Sequence, residues 1–309
     1  MTMLPARERS IRLSSPLDLS RTLGSMRVSP GDPCWRLAPS DALRGVRTPE
    51  GPSTLRLVVR GDRLDAVAWG PGAAWQLDRL GRLVGEDDDR SGFDPGRHEL
   101  VRRMDRRHAG ARVGAGAAAF ATTVGAVLGQ RVTAREAFVS WARLVRSWGE
   151  PAPAADRAGA GRSGLWLAPE PVVLAGHHSS AYHRFGVERR RADTIRAAAR
   201  HARRIDAIEQ PEEMARVLGL IPGIGPWTES QVRFAALGDP DAVLVGDLHA
   251  PHQICFALAG EERGSDERML ELLAPFAGHR ARAQRLISWS GLSAPRRGPR
   301  YTPIPIASW

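Results

Sequence analysis

Residues 220–231 read Leu220-Ile-Pro-Gly-Ile-Gly-Pro-Trp-Thr-Glu-Ser-Gln231, and the element they encode decides the fold. Just upstream, 211–219 (PEEMARVLG) has a proline at its first position and apolar residues at helical spacing. Pro222-Gly223-Ile224-Gly225 is a turn. Pro226 then opens a second helix, at a position where the missing N–H costs nothing. The two glycines let the backbone turn and approach a partner closely. Their N–H groups, beside the positive end of the second helix, form a small anion site suited to a phosphate. Twenty-two residues after Gly225 stands Asp247, within the run DAVLVGDLHAP (241–251), where an apolar extended segment meets a carboxylate and then a proline that opens another helix.

Taken together, IPGIGPWTE (221–229) and GDPDAVLVGDLH (238–249) resemble the hairpin and Gly/Pro–Asp signature of the helix-hairpin-helix DNA glycosylase superfamily. FATTVGAVLGQRVT (120–133) resembles that family's helix ending in a Gly-Gln element, and Trp227 points to the 3-methyladenine DNA glycosylase II branch. The similarity covers most of the chain from about residue 85 and is weaker before it.

The resemblance implies an α+β protein with a mainly α-helical helix-hairpin-helix core and a small N-terminal mixed β-sheet domain. Residues 1–84 would form the scaffold domain, and 85–309 the two-lobed core with its hairpin at 220–227. It also implies a monofunctional glycosylase that flips an alkylated purine, of the 3-methyladenine kind, out of double-stranded DNA. Hydrolysis of the N-glycosidic bond would leave an abasic site. Asp247 falls where the catalytic aspartate is expected, beside a sugar that becomes oxocarbenium-like as the bond breaks. Read on residues alone, the same aspartate is a helix cap.

Gly223 and Gly225 would grip a backbone phosphate, with Thr228 and His249 also on the DNA side. Trp227, Gln231, Gln130 and either Phe276 or His279 would meet the base. Plainer roles stand beside these: core packing for Trp227, and an internal hydrogen bond for Gln130. Three positions depart from the family pattern. Gly246 stands where proline or aspartate is common, which would loosen the approach to Asp247. Gln231 stands where the branch often has an aromatic residue, and His249 resembles the oxidised-guanine and adenine-mismatch relatives. These departures keep open a different modified base, or a non-catalytic DNA-binding protein.

Composition narrows the chemistry independently. The 309 residues carry a net charge of +10, which favours a polyanionic partner. All 44 basic residues are arginine. No lysine is present to form a Schiff base, and only the Met1 amine remains for that chemistry. In the bifunctional relatives the position of Trp227 holds that lysine. Cys34 and Cys255 are too few for an iron–sulfur cluster, and no metal or other cofactor is expected. With no signal peptide or apolar span in view, the expectation is a monomeric cytoplasmic protein associated with the nucleoid and not with a membrane.

Along the chain, strands are expected at 10–14, 54–60 and 64–69, with a helix from Pro16. Gly85-Glu-Asp-Asp-Asp89 reads as a solvated charged turn. Helices are expected at 98–108, 117–128, 134–148, 188–204, after Pro251, and at 266–274 and 279–290. Residues 151–164 read as a low-complexity loop, and His177, His178 and His183 as structural or surface residues. The arginines of the tail, 295–309, are candidates for a phosphate contact.

Overall fold

A computed structural model describes residues 5–161 and 164–294. The tail at 295–309 and the Met1 amine lie outside the described residues. Five strands open the chain: β1 (Arg7–Arg12), β2 (Trp35–Leu37), β3 (Asp41–Thr48), β4 (Gly51–Arg60) and β5 (Arg63–Trp69). They form one antiparallel sheet in the order β1-β5-β4-β3-β2. β1 lies three residues earlier than the sequence suggests. β2 and β3 are unforeseen, because the middle of β3 is buried on both faces and its sequence does not alternate.

The segment read as a loop supplies one of those covers. β6 (Glu150–Pro151) pairs with β7 (Trp166–Leu167), and Ala152, Ala158, Ala160 and Leu165 pack on Leu43 and Trp69. Helices α1 (Leu19–Leu23), α2 (Ala73–Asp78) and α3 (Leu80–Val84) complete the N-terminal part.

The rest is helical: α4 (Glu99–Arg107), α5 (Ala119–Leu128), α6 (Ala134–Trp148), α7 (Pro171–Gly176), α8 (Arg189–Arg200), α9 (Ala202–Asp206), α10 (Pro211–Gly219), α11 (Pro226–Val232), α12 (Ala250–Ala259), α13 (Asp266–Leu273) and α14 (Arg280–Ser288). Start signals are explicit where they can be checked. Thr133 and Glu136 close a reciprocal capping box at α6, with Glu136 accepting from the Thr133 N–H at 2.8 Å.

Two apolar cores organise these helices. One joins the inner face of the sheet to α5, α6 and α8–α11, so the sheet and the hairpin lobe share a single interior. The other is built from α4 and α12–α14. Residues 238–249 lead from the hairpin lobe into this second one.

The acidic run at 85–89 is not a solvated cap. Glu86 pairs with the buried Arg112. Asp88 is matched by both amino groups of Arg282, and its carboxylate also accepts from the Val113 N–H at 2.9 Å. Both side chains of the Asp88–Arg282 pair are 5% exposed. The partner stands 194 residues away, beyond the reach of any local pattern.

Asp32 is a second buried carboxylate, held by the Trp141 indole N–H and the Cys34 N–H, both at 2.9 Å, and the Val28 N–H at 3.0 Å. Burial outweighs these donors and raises its pKa above the usual range. The folded state therefore holds this proton more tightly than the unfolded chain. Stability from this group is highest below the ordinary aspartate pKa and falls as pH rises through the window up to the raised value. We expect Asp32→Asn to remove that slope from urea midpoints measured between pH 4 and 7. It should also lower stability by about 1 kcal/mol, because its amide faces the Val28 donor.

Candidate active site and phosphate-facing hairpin

The hairpin is fastened from below. Ile221 and Ile224 point into the shared core. Gly223 adopts φ +91°, and a Cβ there would run into the Thr194 hydroxyl, which itself donates to the Pro222 carbonyl at 3.0 Å. Only glycine satisfies both demands. Gln130, just past the end of α5, donates its amide to the Gly223 carbonyl at 2.9 Å and to Thr228 Oγ1 at 2.8 Å.

Two expectations change accordingly. Thr228 is 1% exposed and braces the turn instead of facing DNA, because its place on α11 points inward. Gln130 spends both amide donor positions inside the protein, which favours its internal role over a base contact. Gly223 and Gly225 remain exposed, and among the described residues neither N–H has a backbone acceptor. Gly225 leads directly into α11 with Pro226 first. An anion can approach this edge.

Trp227 lies half-buried on α11, its ring against Gly129 at the end of α5. Its indole N–H donates to Asp247 Oδ2 at 2.8 Å. The other carboxylate oxygen accepts from the His249 N–H at 2.7 Å and the Ala250 N–H at 2.8 Å, at the start of α12. The helix cap and the indole anchor thus hold one and the same carboxylate. Three donors from two lobes fix both oxygens of a side chain that still reaches solvent. A carboxylate held this way can stabilise positive charge forming beside it without reorganising.

Gly246 does not loosen that loop. It sits at φ +82°, which proline cannot adopt, and keeps an N–H that proline lacks. That N–H donates at 2.9 Å to Oδ2 of Asp266, the first residue of α13. Nothing in the sequence marks Asp266 beyond the departure at Gly246, which keeps the N–H that a proline there would lack. Asp266→Ala is expected to lower the turnover of the reaction proposed below about fivefold with unchanged KM, from loss of one hydrogen bond of about 1 kcal/mol. Asp266→Asn, which keeps an acceptor, should restore most of the rate. Steady-state kinetics on duplex DNA separates the two variants.

The remaining candidates scatter. Gln231 is half-buried on α11, one turn beyond Trp227. His249 is exposed, and its backbone contributes to the Asp247 cap. Phe276 and His279 do not line an open pocket. Both are buried in the second lobe against Phe93, at ring distances of 6.1 and 5.5 Å. Burial and the neighbouring Arg282 push the His279 pKa down. The turn before α14 faces its aromatic residues into the core, an orientation that spacing alone does not specify.

His177 stacks on Trp148 at 4.0 Å, while His178 caps the turn at 179–185 through the Ser180 N–H. Among the described residues no group of three or more His, Cys, Asp or Glu side chains is placed to hold a metal. Cys34 and Cys255 are buried and unpaired. No helix there is long and apolar enough to cross a membrane.

A glycine hairpin between two helices, an aspartate at the head of the next helix and a small sheet sharing the hairpin's core make this a helix-hairpin-helix core with a small N-terminal sheet domain. No protein-family model and no curated protein matches the sequence. Solved structures do match. A 3-methyladenine DNA glycosylase from Archaeoglobus fulgidus superposes with a TM-score of 0.74 at 17% identity, over 92% of this chain and 98% of that one. MBOgg1 in complex with a low-affinity DNA ligand gives 0.69 at 15% identity, over 94% and 98%. The 8-oxoguanine glycosylase/lyase of Clostridium acetobutylicum gives 0.68 at 11%, over 93% and 98%. At these identities the likeness is one of fold.

Proposed function

We propose that the protein is a monofunctional DNA glycosylase that removes an alkylated purine, of the 3-methyladenine kind, from double-stranded DNA. The observation that carries this reading is the Trp227–Asp247 hydrogen bond at the mouth of the hairpin, in a chain without lysine. The hairpin amides hold one backbone phosphate while arginines supply salt-sensitive attraction. The target nucleotide swings out of the stack toward the exposed edge of Asp247. As the C1′–N bond lengthens, the base takes the bonding electrons, and the sugar's positive charge is balanced by the carboxylate. Water then adds to C1′ and gives up a proton, leaving an abasic site and an intact strand. An alkylated purine already carries positive charge, so it leaves without strong acid assistance.

The names of the structural neighbours point to two base classes. Trp227 and the missing lysine favour the alkyl-base, water-only reaction. His249, which in sequence resembles the histidine two residues after the aspartate in the oxidised-guanine and adenine-mismatch relatives, favours a second reading in which the same chemistry acts on another modified base. In either case the protein works as a monomer on duplex DNA, in the cytoplasm.

The test is incubation with randomly methylated duplex DNA, and in parallel with duplex carrying 8-oxoguanine, with released bases identified by mass spectrometry. Release of 3-methyladenine or 7-methylguanine, with no protein–DNA adduct trapped by borohydride, is the expected result. Release of 8-oxoguanine alone would move the proposal to the second reading. Tight, salt-sensitive binding without release of any base would leave only a DNA-binding protein.

A further inference from the structure

A groove of about 620 Å³ runs between α1 and the end of α14, lined by Arg21, Arg27, Arg285, Trp289, Ser20 and Ser25. Its polar side chains are almost all donors. The one carboxylate in its wall, Asp18, is already engaged, capping α1 through the Arg21 N–H at 2.9 Å and pairing with the Arg21 guanidinium at 3.6 Å.

Among the described residues the other two arginines have no carboxylate within salt-bridge distance; the negative charges acting on them are Asp32 for Arg27, and Asp18 and Asp88 for Arg285. Arg285 donates to the Arg21 carbonyl and lies over the rings of Phe234 and Trp289, at 5.2 and 4.8 Å. Among the described residues Arg27 reaches the Pro30 carbonyl at 3.5 Å, and its buried Nε has no hydrogen-bond partner. Burial lowers the pKa of both, that of Arg285 to about 10. A guanidinium withdrawn from water with no carboxylate in direct contact is costly, and an anion with several acceptor oxygens recovers that cost through charge-assisted hydrogen bonds.

We propose that this groove binds phosphate esters, either successive phosphates of a DNA strand or a free nucleotide, at a place separate from the hairpin. Its hydroxyl and guanidinium donors suit tetrahedral oxyanions. The proposal does not depend on glycosylase activity.

Pyrophosphate titration at low ionic strength, followed by calorimetry, is the direct test. Wild type should show saturable binding that Arg27→Gln weakens at least fivefold and Ser25→Asp abolishes, with circular dichroism unchanged. Ser25→Asp needs no buried arginine removed, so it stays informative if Arg27→Gln is poorly folded. Absence of saturable binding by wild type, or equal binding by all three proteins, would overturn the proposal; binding at the hairpin alone would give the latter. The salt dependence of duplex DNA affinity then identifies the source. A slope reduced by about one in Arg27→Gln assigns the groove to the DNA backbone. An unchanged slope with pyrophosphate binding lost assigns it to a free phosphate ester.

Discussion

Asp247→Asn is expected to slow base release by about 10²–10³-fold, corresponding to roughly 3–4 kcal/mol of lost transition-state stabilisation. The substitution keeps the side-chain shape and one acceptor oxygen, so the α12 cap through His249 and Ala250 survives. It removes the negative charge and turns an amide donor toward the Trp227 indole N–H, which already donates. DNA affinity should stay within about threefold, since phosphate contacts carry it. Trp227→Phe is the companion change: the charge stays and one anchor goes, for a loss of about tenfold or more. Single-turnover kinetics, with Kd measured separately, distinguishes these effects. An Asn variant that releases base at close to the wild-type rate would remove Asp247 from the mechanism.

The largest effect on stability is expected at Asp88. Asp88→Ala strands the Arg282 guanidinium inside the protein and leaves the Val113 N–H without its acceptor, at an expected cost of about 3–5 kcal/mol. Urea denaturation should show the loss as a lower midpoint. Arg282→Met in the same background should recover most of it, because the unpaired charge is then gone as well. A loss below about 1 kcal/mol in Asp88→Ala would mean that water reaches the pair and that it adds little to holding the 85–113 segment on α14.

What could be read from the sequence follows the range of the interactions. The hairpin was legible because Pro222, Gly223, Gly225 and Pro226 each impose a local backbone demand. The core helices α5 and α6 were legible from their periodicity. On residues alone Asp247 reads as a helix cap, which its bonds to the His249 and Ala250 N–H groups bear out; a further role for it comes through the family resemblance, and its indole anchor needed the structure. Other features depend on which way a short element is rotated. Thr228 points inward and Phe276 is sealed in a core, and neighbouring residues do not determine that. Asp88, Arg282 and Asp266 were illegible because each gains its role from a partner far along the chain. β3 escaped notice because it is covered on both sides and lacks the alternation that marks a half-exposed strand.

The single interior shared by the sheet and the hairpin lobe has a consequence for how the molecule is inherited and cut. Were the chain severed after Val84, the two pieces would each bare the apolar face that the other had covered, and neither would separate as a finished module. Melting of the sheet and melting of the hairpin are therefore expected to be one event, seen as a single transition in calorimetry. The part of the protein furthest in sequence from Asp247 is the part the hairpin lobe cannot be shuffled away from.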